Sequence, residues 1–232
     1  MDRLTLDDLQ VAGGVLCLAA TLLAGAVSRW RLERDRTHFI SEVLALPWWR
    51  PGWRARGEYG SAIASVLFAL GALLFGIASA CRLADGFSLA AATSLATSAL
   101  LLGVVVFPLR AVPQDRIAEA GGLDLLHPFV AAVFYLAALI NALVSTWARA
   151  GKLGMVLVIG HVVSSAALTT AVLVLAPRAL GPSAWRPWFL PGVRILLDRR
   201  PPSESPTDIV RRLQWPCTVL IALDVALTPT GW

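Results

Sequence analysis

Charge is what this sequence has least of. Asp, Glu, Lys and Arg together supply 15% of its 232 residues, against 57% hydrophobic ones. A soluble domain of this length needs far more charge to cover its surface. Lysine is nearly missing: Lys152 stands alone against nineteen arginines, a bias that with abundant alanine points to a GC-rich bacterial genome. Histidine is confined to His38, His127 and His161. There is no His-x-x-x-His, Gly-x-Gly-x-x-Gly or Cys-x-x-Cys, so the common metal and dinucleotide signatures are excluded. Cys17, Cys81 and Cys217 are odd in number and lie within apolar stretches, where inert buried thiols are expected instead of a disulfide framework.

Apolar residues come in blocks. Six are long enough to match the roughly 20 residues a spanning helix needs: about 10–29, 60–83, 87–109, 126–148, 153–177 and 213–230. The mean hydropathy of +0.69 agrees. The pattern predicts an all-α, polytopic transmembrane bundle of about six spans, one domain over residues 1–232.

Positive charge sets the orientation. The loops 30–59, 110–125 and 178–212, with Arg29 at the rim, carry sixteen of the twenty basic residues. Positive-inside bias puts those loops in the cytoplasm and both termini outside a bacterial inner membrane. The net charge of +5 is thereby explained without nucleic acid. Asp2, Asp7 and Asp8 are the wrong charge for the start of a signal peptide, so the first apolar block is expected to stay as a helix. The long loops mix Trp, Arg and Pro, as in Trp48, Trp49, Arg50, Pro51, Trp53 and Arg54, and again in Trp185, Pro187 and Trp188. They predict a cytoplasmic crown of broken amphipathic segments at the headgroup level.

One stretch combines structural and chemical signals. Gly121-Gly-Leu-Asp124-Leu-Leu-His127-Pro128 opens the fourth apolar block, which holds Asn141. Pro128 suits the first turn of a helix, and Asp124 can accept from the amides there. Asp124 and His127, three apart, share a face that continues through Ala131, Phe134, Ala138 and Asn141. A capped helix start with an interfacial histidine and the mouth of a polar site are both consistent with this. Further along, His161 interrupts the fifth block, and Asp224 lies among Ile221, Ala222, Leu223, Val225 and Ala226 in the sixth. A carboxyl near a bilayer centre costs about 2.5–3.5 kcal/mol on insertion scales and normally faces the bundle with a partner. Counting helical rise places Asp224 about 16 Å, Asn141 about 20 Å and His161 about 18 Å from the cytoplasmic edge. The three are therefore expected in one layer.

His38-Phe-Ile-Ser41-Glu42, Phe107-Pro108 and Gly122-x-x-x-x-His127 resemble an uncharacterised bacterial six-helix membrane family, a domain of unknown function akin to the DRAM/Sfk-type membrane proteins. The resemblance covers nearly the whole chain and implies a fold, and hardly a reaction. That family usually carries an acidic residue soon after Phe-Pro, whereas Leu109-Arg110 follow here and Asp115 comes later.

Three functions fit these residues. The first is a membrane-embedded enzyme on a lipid or isoprenoid substrate. His38, Arg50, Arg54 and Arg110 would hold a diphosphate head, with Trp48, Trp49, Phe134 and Trp215 around the chain. Asp224 would start cyclisation as the proton donor, oriented by His161 or Asn141, with Glu42, Asp124 and His127 at the mouth. No cofactor is expected beyond a magnesium ion entering with a diphosphate. In outline this is similar to the integral membrane terpene cyclases. The second is a metal-dependent lipid hydrolase, resembling in outline the ceramidase-type superfamily, using His38, Asp124, His127 and His161. Its ligands fall at different depths. The third is a lipid-binding or scaffold protein whose polar residues lock helices together.

Overall fold

The computed structural model describes residues 3–30, 44, 59–107, 122–146, 152–170 and 208–227. Among them the chain forms six α-helices and no strand. These are α1 (Arg3–Trp30), α2 (Tyr59–Asp85), α3 (Leu89–Val106), α4 (Gly122–Asn141), α5 (Lys152–Thr170) and α6 (Asp208–Leu227). A π-helical turn, Ala142–Thr146, extends α4. Each helix overlaps one of the six apolar blocks. Among the described residues three helical segments, Thr5–Val27, Tyr59–Asp85 and Leu89–Val106, are long and apolar enough to cross a membrane.

Helix ends follow local chemistry. Ser88, in extended conformation, accepts from the Ala91 amide at 3.1 Å and caps α3. α3 stops at Phe107, which is extended (φ −86°, ψ 114°) because the following Pro108 disfavours a helical conformation there. Three helices start several residues earlier than the hydropathy blocks indicate: α4 begins at Gly122, so Asp124 lies inside the helix instead of capping it and Pro128 falls in the second turn, not the first. α1 takes in the acidic segment from Arg3, and α6 begins at Asp208, so Pro216 lies inside it. Pro216 removes one amide from the ladder and α6 nonetheless continues to Leu227.

The helices pack in chain order around a ring. α1 lies against α2, α2 against α3, α3 against α4, α5 against α6, and α6 returns to α1. α4 touches α5 mainly through the π-helical turn. Specific contacts fix the directions as antiparallel. Gly60 faces Val27 and Gly71 faces Gly13 across α1–α2. Gly103 faces Val130 across α3–α4, and Gly14 faces Ala226 while Gly25 faces Trp215 across α1–α6. The start of α1 and the end of α6 therefore share one end of the bundle.

The interior is small and the exterior is large. Ala20, Ala24, Ala64, Ala72, Phe68, Leu101, Phe134 and Ala222 belong to one buried cluster drawn from α1, α2, α3, α4 and α6. α5 contributes nothing to that cluster among the described residues. Leu22, Ile63, Val156 and Val163 point outward, each more than half exposed. Soluble bundles bury such side chains. Small residues inside and large apolar ones outside are the arrangement expected when the solvent is lipid. Five buried hydroxyls are satisfied along their own helices: Thr21, Ser65, Ser79, Thr97 and Thr218 each donate to the carbonyl four residues earlier, at 2.7–2.9 Å. Cys17, Cys81 and Cys217 are free thiols.

Candidate functional site in the α5–α6 seam

Gly160 lets α5 approach α6: a Cβ built there would lie 3.3 Å from the Leu220 side chain. That approach turns the next residue, His161, into the bundle, where it is 2% exposed, while Val162 and Val163 face outward. The His161 ring donates to the Leu220 carbonyl. Asp224, one turn further along α6 and 3% exposed, acts on the same ring electrostatically. His161 Nε2 is buried and has no hydrogen-bond partner among the described residues. The donor to Leu220 is therefore Nδ1, which leaves Nε2 with its lone pair. Ser164 donates to the His161 carbonyl at 3.2 Å, and its hydroxyl shares a hydrogen bond with Cys217, which pins the two helices one turn away.

The pair adjoins a second polar group that sequence reading missed. Gln10, 2% exposed, donates to the carbonyl of Val225, the residue after Asp224, at 3.4 Å. Its Oε1 accepts from Arg82, and Arg82 also pairs with Asp7. Asp7 and Gln10 lie three apart at the start of α1, and Arg82 lies in the last turn of α2. The detectable signal was that spacing: two polar residues on one face of an apolar helix.

Asn141 serves a different contact. Its Oδ1 accepts from Thr93 at 3.1 Å, Ser94 at 2.8 Å and Ser145 at 3.2 Å. It ties α4 and its π-helical turn to α3. Of the three residues expected in one layer, His161 and Asp224 meet across a seam, and Asn141 is taken up by the hydroxyls of Thr93, Ser94 and Ser145.

Phe134, 2% exposed, stacks at a tilt on Tyr135, with ring centroids 5.1 Å apart. Trp215, half-buried, packs on the central cluster beside Gly25. Asp124 and His127 fall in the first two turns of α4. His38, Glu42, Trp48, Trp49, Arg50, Arg54 and Arg110 lie outside the described residues, as do Trp53, Trp185 and Trp188 of the expected crown. Among the described residues no three His, Cys, Asp or Glu side chains gather in a group that could hold a metal ion.

The chemistry open to the seam is proton exchange. A carboxyl near an imidazole stabilises the imidazolium, and Nε2 is then the atom that takes or gives the proton. No protein family matches the chain, and neither does any curated protein or solved structure.

Proposed function

We propose that this chain is a six-span membrane protein, with both termini outside, that carries out proton transfer on a lipid or isoprenoid substrate. His161 Nε2 is the exchanging atom and Asp224 is the charged partner that stabilises the protonated ring. The observation that carries this reading is the buried His161–Asp224 pair, because ionisable residues at membrane depth are costly and mark functional sites. An Asp224 that faces a histidine acts through the ring, so acid-initiated cyclisation would take its proton from the pair and not from the carboxyl alone. The arginine-rich loops supply the basic rim that a diphosphate head requires. The resemblance to the DRAM/Sfk-type family agrees with six spans and adds no reaction.

Asn141 favours a second reading, a lipid-binding or scaffold protein in which buried polar groups only lock helices. One experiment separates the two. Membranes containing the protein are incubated with farnesyl diphosphate, and isoprenoid products are measured by mass spectrometry for wild type, His161→Gln and Asp224→Asn. Proton transfer predicts a loss of at least about 100-fold in both variants, the typical contribution of a general acid or base, with folded protein recovered at wild-type yield. Products that persist in both variants, or variants that lose only their fold, would overturn it and leave the scaffold reading.

A further inference from the structure

A separate cavity of about 20 Å³ lies between α2, α3, α4 and α6, with Phe68, Val104, Phe134, Tyr135, Gln214 and Thr218 among its walls. A single water needs about 10–15 Å³, so the space takes one water and nothing longer. Neither His161 nor Asp224 lines it, and what it holds is independent of the proton-transfer reading.

The polar walls belong to α4 and α6. The Thr218 hydroxyl donates to the Gln214 carbonyl at 2.9 Å, so its 3.1 Å contact with Tyr135 is donated by the Tyr135 hydroxyl. Both hydroxyl oxygens can still accept a further hydrogen bond. Gln214 is 6% exposed, and its Oε1 is buried with no partner among the described residues. A buried amide oxygen left in that condition bears its full desolvation penalty. The other walls, among them Phe68, Val104 and Phe134, are apolar and offer it nothing.

We propose that the cavity binds one ordered water molecule, which donates to Gln214 Oε1 and to the Tyr135–Thr218 hydroxyl pair. The water thereby ties α4 to α6 a second time, beside the direct Tyr135–Thr218 bond. The volume sets the size of the occupant, and the orphaned oxygen sets its polarity. An apolar group of the same size would leave Oε1 unpaired. An ion would find no charged side chain among the described lining residues. Water both donates and accepts, so it satisfies the Gln214 amide whichever way its oxygen and nitrogen are turned. A buried water is held by two to four polar partners, and Gln214, Tyr135 and Thr218 supply them.

The test is a crystal structure of the full-length protein in a lipid phase, at a resolution that shows ordered waters. One isolated density peak is expected at about 2.7–3.2 Å from the Gln214 amide and from the Tyr135 or Thr218 hydroxyl. In Gln214→Met, or in Gln214→Leu should the first variant fail to fold, the peak disappears. An elongated density would show a lipid or detergent chain in its place. A cavity closed by a direct bond from the Gln214 amide to a protein group, or one without density, would show that no water is bound. A peak that survives the loss of the amide would show that Gln214 is not its anchor. Each of these results overturns the assignment.

Discussion

Gly14 of α1 lies so close to Ala226 of α6 that a Cβ built on the glycine would sit 2.3 Å from the Ala226 backbone nitrogen. The neighbouring Gly13 meets α2 in the same way, 2.7 Å from the Gly71 carbonyl oxygen. The obstacle in each case is backbone, which cannot swing aside as a flexible side chain can. Two consecutive glycines thus seat α1 against two helices at once.

Gly14→Leu is accordingly expected to cost about 3 kcal/mol or more, at or above the upper end for overpacking. Gly86→Ala is the control: nothing lies within 4 Å of a Cβ there, so the change should stay within about 0.5 kcal/mol. Denaturation in mixed detergent, followed by helical circular dichroism, measures both. Equal stability of the two variants would contradict the close α1–α6 contact.

Arg82 joins Asp7 and Gln10 at the end of the bundle where α1 begins. Its side chain is 11% exposed and that of Asp7 28%, so Arg82 has less water to fall back on than Asp7. Arg82→Leu, which strands both acceptors, should cost about 2–3 kcal/mol, and Asp7→Asn, which keeps an oxygen, about 1 kcal/mol or less. The double variant should show a coupling of about 0.5–3 kcal/mol. Strict additivity in the cycle would mean that the two residues do not interact in solution.

Asn141 accepts from three hydroxyls, and each such bond in a membrane protein averages about 0.6 kcal/mol. Asn141→Ala should therefore cost about 2 kcal/mol. The partners should differ among themselves. Thr93 has one hydroxyl hydrogen, and the Leu89 and Ala90 carbonyls at 3.0 and 3.1 Å compete for it with Asn141, so Thr93→Ala is expected to be nearly neutral. Ser94, with the shortest bond to Asn141, should be the more sensitive. Thermal midpoints of the three variants rank them.

The orientation has its own test. Gly86→Cys, placed between α2 and α3 in a Cys81→Ala background, should react with a membrane-impermeant maleimide added to intact cells, because Cys17 and Cys217 are buried. Labelling only after the cells are opened would invert the proposed topology.

The helices were legible in the sequence because a lipid-facing segment has to be apolar over its whole length, and Val11–Ser28 or Leu153–Leu168 can hardly be read otherwise. The shared level of His161 and Asp224 was legible for a similar reason, since helical rise converts a residue count into a height. Lateral neighbours were not. Asn141 stands at a similar counted height, yet which helix it meets depends on the order of packing around the ring, and no local pattern encodes that order. Gln10 escaped notice because a neutral amide near a helix end resembles ordinary interfacial polarity; only the Val225 carbonyl and Arg82 reveal that it is buried.

Since α6 returns to α1, α1 is completed only by a helix made much later. During translation Gly14 and the Gln10 amide have no α6 surface to meet until roughly two hundred residues have followed, so the ring can close only after Asp208–Leu227 has been made. Contacts this distant along a chain form slowly. Until then α1 depends on α2 alone, and a ribosome that stalls before Asp208 leaves a five-helix intermediate whose open groove is a target for quality control.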